Sequence, residues 1–189
     1  MTISILANKT LRPMLVTLIY CTLSNNLAYA KAKSKYFYNS TALKVSLSPV
    51  PSEKVAAFYE GRGFSKEMVN TLKQKCFITI GIRNKSNNII LHDLSNWTYS
   101  NKNSEIKRID REQWKLTWKK MNIPLSHQST FRWTLLPEKL DFRSGEHEAG
   151  NITLPFSDKP FSLNATFTEI NNKVKKNIYI KIQDIHCAK

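Results

Sequence analysis

Apolar residues alternate with polar ones along much of the C-terminal half of this 189-residue chain. In "FSLNATF", residues 161–167, every second side chain is apolar, and in "IYIKI", residues 178–182, isoleucine recurs at every second position. Because successive side chains of a strand point to opposite faces, this pattern predicts strands that bury one face. The spacing of such segments restricts the chain to a mainly β fold.

The same reasoning predicts about seven strands. The segments with this pattern are residues 41–51, 76–88, 89–100, 130–137, 150–155, 161–170 and 176–187. The polar residues 169–177 are predicted to form the loop of the last hairpin. Short strands joined by short turns are typical of a β-sandwich.

Two or three short helices are predicted in addition. Residues 52–63 have Ser52 as cap and Gly61 as stop, and the segment that follows has Ser65 as its cap. Residues 109–124 form the strongest candidate, because Asp110 and Gln113 have the spacing of a capping box.

The N-terminus has the pattern of a secretory signal peptide. Lys9 and Arg12 precede a short apolar segment, and the small residues of "AYA" at 28–30 predict cleavage after Ala30. This division gives a signal peptide over 1–30 and a single β-sandwich domain over 31–189, exported to the periplasm or the extracellular medium. The alternatives are an ordinary N-terminal helix and a lipoprotein signal that ends at Cys21. No later segment is long and apolar enough to cross a membrane.

Two cysteines remain after this leader, Cys76 and Cys187. In an oxidising compartment they are predicted to form one disulfide. Closing so long a loop would stabilise the fold by about 4–5 kcal/mol in the chain-entropy treatment. The alternative is a pair of buried free thiols.

The chain is strongly basic, with a formal net charge of +15. Removing Lys9 and Arg12 with the leader leaves +13. Such an excess favours a protein partner with an acidic surface, or an anionic surface such as lipid head groups or acidic polysaccharide. The lysines are scattered rather than clustered, so nucleic acid is not expected as a partner. A basic surface that only solvates the protein is the alternative.

Residues 131–168 resemble the second half of bacterial extracytoplasmic immunoglobulin-like β-sandwich accessory domains. The resemblance rests on "LDFRSGEHEAGNITLPFSDKPFSL", with a strand, a Gly–Glu loop, a Gly-initiated strand ending in proline and a further strand. The positions that match this pattern are Leu140, Phe142, Gly145, Glu146, Gly150, Ile152, Leu154, Phe161 and Leu163. It implies an immunoglobulin-like sandwich and a role in binding, scaffolding or assembly rather than catalysis.

Two segments are candidate binding sites. The first is a polar loop formed by Glu146, His147 and Glu148, in which Gly145 allows the turn and Gly150 starts the next strand. The second is the predicted helix over 109–124, whose aromatic and basic side chains could contact a membrane, a sugar or a peptide. Its candidate residues are Trp114, Lys115, Trp118 and Lys119. The alternative for the tryptophans is core packing.

Other functional classes have weaker support. The residues that could contribute to a copper site are His92, His127, His147, His186 and Met121. No HExxH or GxSxG motif is present, and no cofactor is predicted. We therefore expect an exported, non-catalytic binding or assembly-accessory protein. The alternatives are a periplasmic copper-handling protein and an extracytoplasmic enzyme acting on cell-wall or anionic glycan.

Overall fold

The computed structural model describes residues 35–102 and 104–189, and over these ranges the chain is mainly β, with 45% strand and 26% helix. The strands are β1 (Tyr36–Asn39), β2 (Leu43–Val50), β3 (Lys75–Asn84), β4 (Ile89–Asp93), β5 (Thr98–Ser100), β6 (Glu105–Ile106), β7 (Lys139–Phe142), β8 (His147–Pro155), β9 (Phe161–Asn171) and β10 (Val174–Ile185). The helices are α1 (Ser52–Glu60), α2 (Lys66–Lys73), α3 (Arg111–Lys120) and α4 (Leu125–Thr134). No helix in these ranges is both long enough and apolar enough to cross a membrane.

The first sheet is antiparallel, with the strand order β1-β2-β3-β8. The apolar positions of β2 and β3 alternate as predicted. Val45 lies opposite Ile82 and Leu47 lies opposite Ile80, so that these side chains fall on one face of the sheet. On β8, Ile152 and Leu154 are buried as the sequence predicts.

The second sheet is built around β9. β10 pairs along almost the whole of one edge of β9, while β4 and β5 pair with successive parts of the other edge. β7 adds to β4 and β6 adds to β5. The predicted single strand over 89–100 is therefore interrupted, because Leu94–Asn96 form a 3₁₀ turn in which the Asp93 side chain accepts a hydrogen bond from the Ser95 amide.

The two sheets share one hydrophobic core. Its residues include Leu43, Val45, Leu47, Ile78, Ile80, Ile82, Ile152 and Leu154 from the first sheet and Ile90, Phe142, Phe161, Leu163, Ala165, Phe167, Ile180 and Ile182 from the second. The predicted disulfide is confirmed. Cys76 of β3 is bonded to Cys187, with a Cα–Cα distance of 5.4 Å.

The four helices form a second core with the outer face of the first sheet. Phe77 belongs to this second core, whereas its neighbours Cys76 and Ile78 belong to the first. The helical residues of this cluster include Val55, Tyr59, Met68, Leu72, Trp114, Trp118 and Phe131, and the Tyr59 ring lies next to the Phe77 ring. The sheet therefore separates two apolar clusters, one shared with the second sheet and one covered by helices.

The prediction of a strand over residues 130–137 is wrong. Most of this segment belongs to α4, which begins immediately after Pro124. The alternation of Phe131, Trp133 and Leu135 resembles a strand pattern, but Phe131 and Leu135 are one helical turn apart and both are buried, whereas Trp133 is 85% exposed. The described residues form ten strands and four α-helices, so the predicted counts of seven strands and two or three helices are both too low.

Three boundaries also differ from the prediction. The strand assigned to 150–155 begins earlier, at His147. The loop predicted for 169–177 is only Asn172 and Lys173, whose positive φ angles of 46° and 71° suit a two-residue hairpin turn. Helix α1 has Pro51 rather than Ser52 at its N-cap position, without a capping side-chain hydrogen bond. The predicted signal peptide over 1–30 lies outside the described residues.

Candidate functional site

Helix α3 starts as its sequence predicts. The Asp110 carboxylate accepts a hydrogen bond from the Gln113 amide at 2.8 Å, and the Gln113 side chain accepts one from the Asp110 amide at 3.0 Å. This capping box satisfies amides that the helix itself leaves unpaired. After Asn122, which has a positive φ of 51°, Pro124 starts α4. The two helices are thus joined by a short turn and lie next to each other.

The facing sides of α3 and α4 are aromatic and closely packed. The rings of Trp114 and Trp118 stack with centroids 4.8 Å apart, and Phe131 of α4 meets both edge-on. Both tryptophans are buried, with 2% and 1% of their surface exposed. The predicted binding helix therefore presents Lys115 and Lys119 at the surface but not its tryptophans. The tryptophans belong to the core, which was the alternative interpretation of these residues.

A cleft of about 890 Å³ lies above this aromatic packing. We call it the α3–α4 cleft. Its lining comes from the two helices and from the segment that leads into β7, and comprises Asp110, Arg111, Glu112, Trp114, Lys115, Trp118, Leu125, Gln128, Ser129, Phe131, Arg132, Leu135, Pro137, Glu138 and Lys139. The cleft combines an apolar floor with a rim of charged side chains.

Most charges around the cleft are paired. Arg108, which neighbours the cleft, makes two parallel hydrogen bonds with Glu138, of which Nη1–Oε1 measures 3.0 Å. The Lys139 ammonium lies 2.8 Å from the Asp93 carboxylate. Hydrogen bonds from Lys139 and Ser95 lower the pKa of Asp93 to about 2. These acids are therefore occupied by their own partners.

Arg111 and Arg132 differ from these residues. Within the described ranges neither guanidinium has a carboxylate partner. Arg111 is held in place because its Nη2 donates to the Leu135 carbonyl at 2.8 Å. Burial lowers the pKa of Arg111, and the neighbouring positive charges of Arg132 and Arg108 act in the same direction, while the negative charge of Glu138 opposes them in part. Since arginine stays protonated in proteins, an anion at this position would relieve the repulsion between the guanidinium groups.

The arginines of the cleft have the chemistry to bind an anion. Planar guanidinium groups bind carboxylate and phosphate through paired hydrogen bonds. Each acid in the lining has a partner, since Asp110 caps α3, Glu112 lies 3.5 Å from Lys115 and Glu138 pairs with Arg108. Sequence reasoning missed Arg111, Leu125 and Arg132. The charges were visible, but the strand assigned to 130–137 concealed that Arg132 lies on a helix beside α3.

Glu146, His147 and Glu148 do not all lie in one loop. Glu146 lies in the turn, where its carboxylate accepts a hydrogen bond from the Arg143 amide at 2.7 Å. His147 and Glu148 are the first residues of β8 and lie opposite Arg83 and Ile82 of β3. All three side chains are exposed. Adjacent strand residues point to opposite faces, so the arrangement does not bring His147 and Glu148 together.

Gly150 has a different role from the one predicted. It does not start β8 but lies within it, where the chain after α4 crosses close above the strand. A Cβ atom at position 150 would lie 2.6 Å from the backbone nitrogen of Leu136. The Leu136 amide donates to the Asn151 carbonyl at 2.9 Å, so this glycine allows the segment that closes the cleft to pair with the sheet.

The candidate metal ligands are dispersed. His92 is buried against Trp97, Phe142 and Phe167, and burial lowers its pKa to about 4. His127 lies on α4 rather than before a strand and stacks on Phe64.

The remaining candidates lie elsewhere. The Met121 sulfur is 3.8 Å from the Thr71 hydroxyl. His147 starts β8, and His186 is exposed beside the disulfide. In the part of the chain that the structure describes, no three His, Cys, Asp or Glu residues are grouped so that they could hold a metal ion.

Comparison with known proteins gives only distant likenesses. No family model matches the chain, and no curated protein matches it significantly. A putative lipoprotein (ycdA) from Bacillus subtilis is similar over 80% of this chain, with 13% identity and a TM-score of 0.40. This chain spans 39% of that structure's length. The yjhA protein from Bacillus subtilis is similar over 70% of this chain and 78% of its own length, with 9% identity and a TM-score of 0.38.

Proposed function

We propose that this protein is an exported, non-catalytic binding or assembly-accessory protein, and that the α3–α4 cleft is its binding site for an anionic partner. One observation carries the proposal. Arg111 and Arg132 lie at the cleft without a carboxylate partner among the described residues, while the cations beside them are paired. Protein surfaces usually balance clustered positive charge, so an unbalanced arginine pair at a concave site favours a ligand of opposite charge.

Two features support export. The N-terminal sequence has the basic, apolar and small-residue order of a signal peptide. The Cys76–Cys187 disulfide is of the kind that persists in an oxidising compartment. A disulfide that joins the first sheet to the chain after β10 suits a protein that must remain folded outside the cell.

We also propose that the fold is an immunoglobulin-like sandwich related to bacterial extracytoplasmic accessory domains. The order β2-β3-β8 in one sheet and β10-β9-β4 in the other supports this, because it matches the A-B-E and G-F-C strand orders of such sandwiches. Helices α1 and α2 then lie between β2 and β3 in the chain. Helices α3 and α4 are inserted beside β8, so that the cleft is an addition to the sandwich.

The net charge of +15, or +13 after removal of Lys9 and Arg12 with the leader, supports an anionic partner. A positive field raises the rate at which negatively charged partners reach the protein, even where individual lysines make no contact. The cleft then provides fixed contacts within that field. The lysines supply attraction over a distance, and Arg111 and Arg132 supply the site.

A nuclear magnetic resonance titration tests the proposal. The purified, exported protein is titrated with hexaglutamate, and the shifts of backbone amides are followed. We expect saturable shifts concentrated in α3, α4 and the segment before β7, which are lost in Arg132→Gln and kept in Arg143→Gln. Arg143 is the matched control because it is also exposed but lies in the β7–β8 turn. Shifts spread evenly over all lysine-bearing surfaces, or unaffected by Arg132→Gln, would refute the cleft as the site. N-terminal sequencing of the same protein tests export, since a chain that starts at Lys31 is expected.

A further inference from the structure

Helix α4 presents an unusual outer face. Leu125, Ser129, Arg132 and Trp133 are spaced at i, i+4, i+7 and i+8, which places them on one side of the helix. All four are exposed. Trp133 and Leu125, at 85% and 80%, are the two most exposed large apolar side chains among the described residues. Burying such side chains is favourable, and here the fold does not use this stabilisation.

Helix α3 also carries exposed apolar and basic side chains. Leu116 is 59% exposed, and Lys119 and Lys120 lie one turn further along the same side of the helix. Together α3, α4 and their connection contain five cationic residues and a single acid. The cations are Arg111, Lys115, Lys119, Lys120 and Arg132, and the acid is Glu112. We call the exposed residues of α3 and α4 the helical face. It combines apolar side chains with net positive charge.

A lipid surface fits this combination better than a small ligand does. Trp133 does not line the cleft, so a molecule held inside the cleft would leave it exposed. A broad partner that covers the outer side of α4 can contact Leu125, Arg132 and Trp133 at the same time. Tryptophan is enriched at the boundary between head groups and acyl chains, and helices that lie on membranes carry basic and apolar side chains side by side.

We propose that the helical face docks on the surface of a bilayer that contains anionic lipid. This inference rests on the proposed function and specifies its anionic partner. Leu125 and Trp133 enter the interfacial layer, while Arg132 and Lys115 contact head-group phosphates. Each basic residue held near an anionic bilayer adds to the attraction between protein and lipid. The rest of the domain, including the loops at the ends of the sandwich, then remains free for other contacts.

The four tryptophans make the test direct. Trp97, Trp114 and Trp118 are at most 5% exposed, so that Trp133 is the one in contact with solvent. The protein is mixed with phosphatidylcholine vesicles or with vesicles of equal parts phosphatidylcholine and phosphatidylglycerol. We expect the emission to shift to shorter wavelength, and acrylamide quenching to fall, with the anionic vesicles alone. Brominated acyl chains should then quench the emission.

Three variants define the outcome. Trp133→Ser is expected to bind the anionic vesicles about tenfold more weakly, which corresponds to about 1.4 kcal/mol, and to lose the shift. Arg132→Gln is expected to bind more weakly, and Tyr179→Ser is the control because Tyr179 is 73% exposed but lies on β10. Equal binding of Trp133→Ser and Tyr179→Ser would overturn the proposal.

Two further results separate this inference from the proposed function. If vesicles do not bind while hexaglutamate still perturbs the cleft, the lipid assignment fails and the anion site stands. If hexaglutamate shifts the Trp133 emission and vesicles do not, the partner is an acidic protein, and the lipid assignment is wrong. If neither probe depends on Arg132, both proposals fail.

Discussion

Trp114 and Trp118 stack one helical turn apart on α3, but only the indole of Trp114 is hydrogen-bonded. Its Nε1 donates to the Thr153 hydroxyl at 2.7 Å, and that hydroxyl donates to the Ile109 carbonyl at 2.9 Å. The Trp118 Nε1 is buried and has no such partner among the described residues. The chain through Thr153 therefore fastens the beginning of α3 to β8, and with it one wall of the α3–α4 cleft.

The two tryptophans should respond differently to the same substitution. Trp114→Phe and Trp118→Phe remove similar apolar area, but only the first also removes a buried hydrogen bond. We expect Trp114→Phe to lower the free energy of unfolding by about 1 kcal/mol more than Trp118→Phe does. Urea denaturation of both variants measures this. A larger loss for Trp118→Phe would contradict the role assigned to the Thr153 contact.

Gly150 is expected to be irreplaceable within β8. In Gly150→Ala the new methyl would lie 2.6 Å from the Leu136 backbone. This backbone cannot move without disturbing the segment that closes the cleft. We expect a loss of about 3 kcal/mol or more in the free energy of unfolding. Gly81→Ala is the matched control, since its methyl would meet only the Ser46 side-chain oxygen at 2.9 Å. Thermal denaturation should show a clearly smaller loss there.

His92 should make stability depend on pH. Burial lowers its pKa from 6.5 to about 4 in the folded protein, so between these values the unfolded chain binds more protons. The free energy of unfolding is therefore expected to fall as pH decreases from 6.5 to 4, by about 3 kcal/mol in total. His92→Leu should flatten this part of the profile. The exposed His186→Gln is the control and should keep the slope, and an unchanged slope in His92→Leu would rule out His92 as its source.

The Cys76–Cys187 disulfide should be required for full stability. Replacing both cysteines by alanine opens a connection that spans 111 positions, and we expect this to lower the free energy of unfolding by about 2–5 kcal/mol. Mass analysis without reducing agent should show no free thiol at these positions in the purified protein. Two free thiols there would contradict the bridge.

The sequence predicted the sheets better than the helical face. Period-two patterns such as that of Phe161, Leu163 and Phe167 are set by burial on one face, and they remain visible wherever a strand has one buried side. The capping box of Asp110 and Gln113 is likewise local, so the start of α3 was predictable.

Helix α4 could not be predicted in the same way. Phe131, Trp133 and Leu135 satisfy the strand pattern, and only their environment shows that Trp133 faces outward while its two neighbours in that pattern are buried. Pairing of β4 and β5 with one edge of β9 also depends on long-range contacts. The cleft was missed for the same reason, since Arg111 and Arg132 lie 21 positions apart in the chain and meet only after α3 and α4 pack.

Charge reversal at the cleft tests the central claim most directly. The dissociation constant for hexaglutamate is measured by calorimetry for Arg132→Glu and for Arg143→Glu, which change the net charge equally. A charge-assisted contact is worth about 1.5–3 kcal/mol, so Arg132→Glu is expected to weaken binding by about tenfold or more. Arg143→Glu should weaken it less than about threefold, through the loss of general attraction alone. Equal weakening by the two variants would contradict an anion site in the α3–α4 cleft.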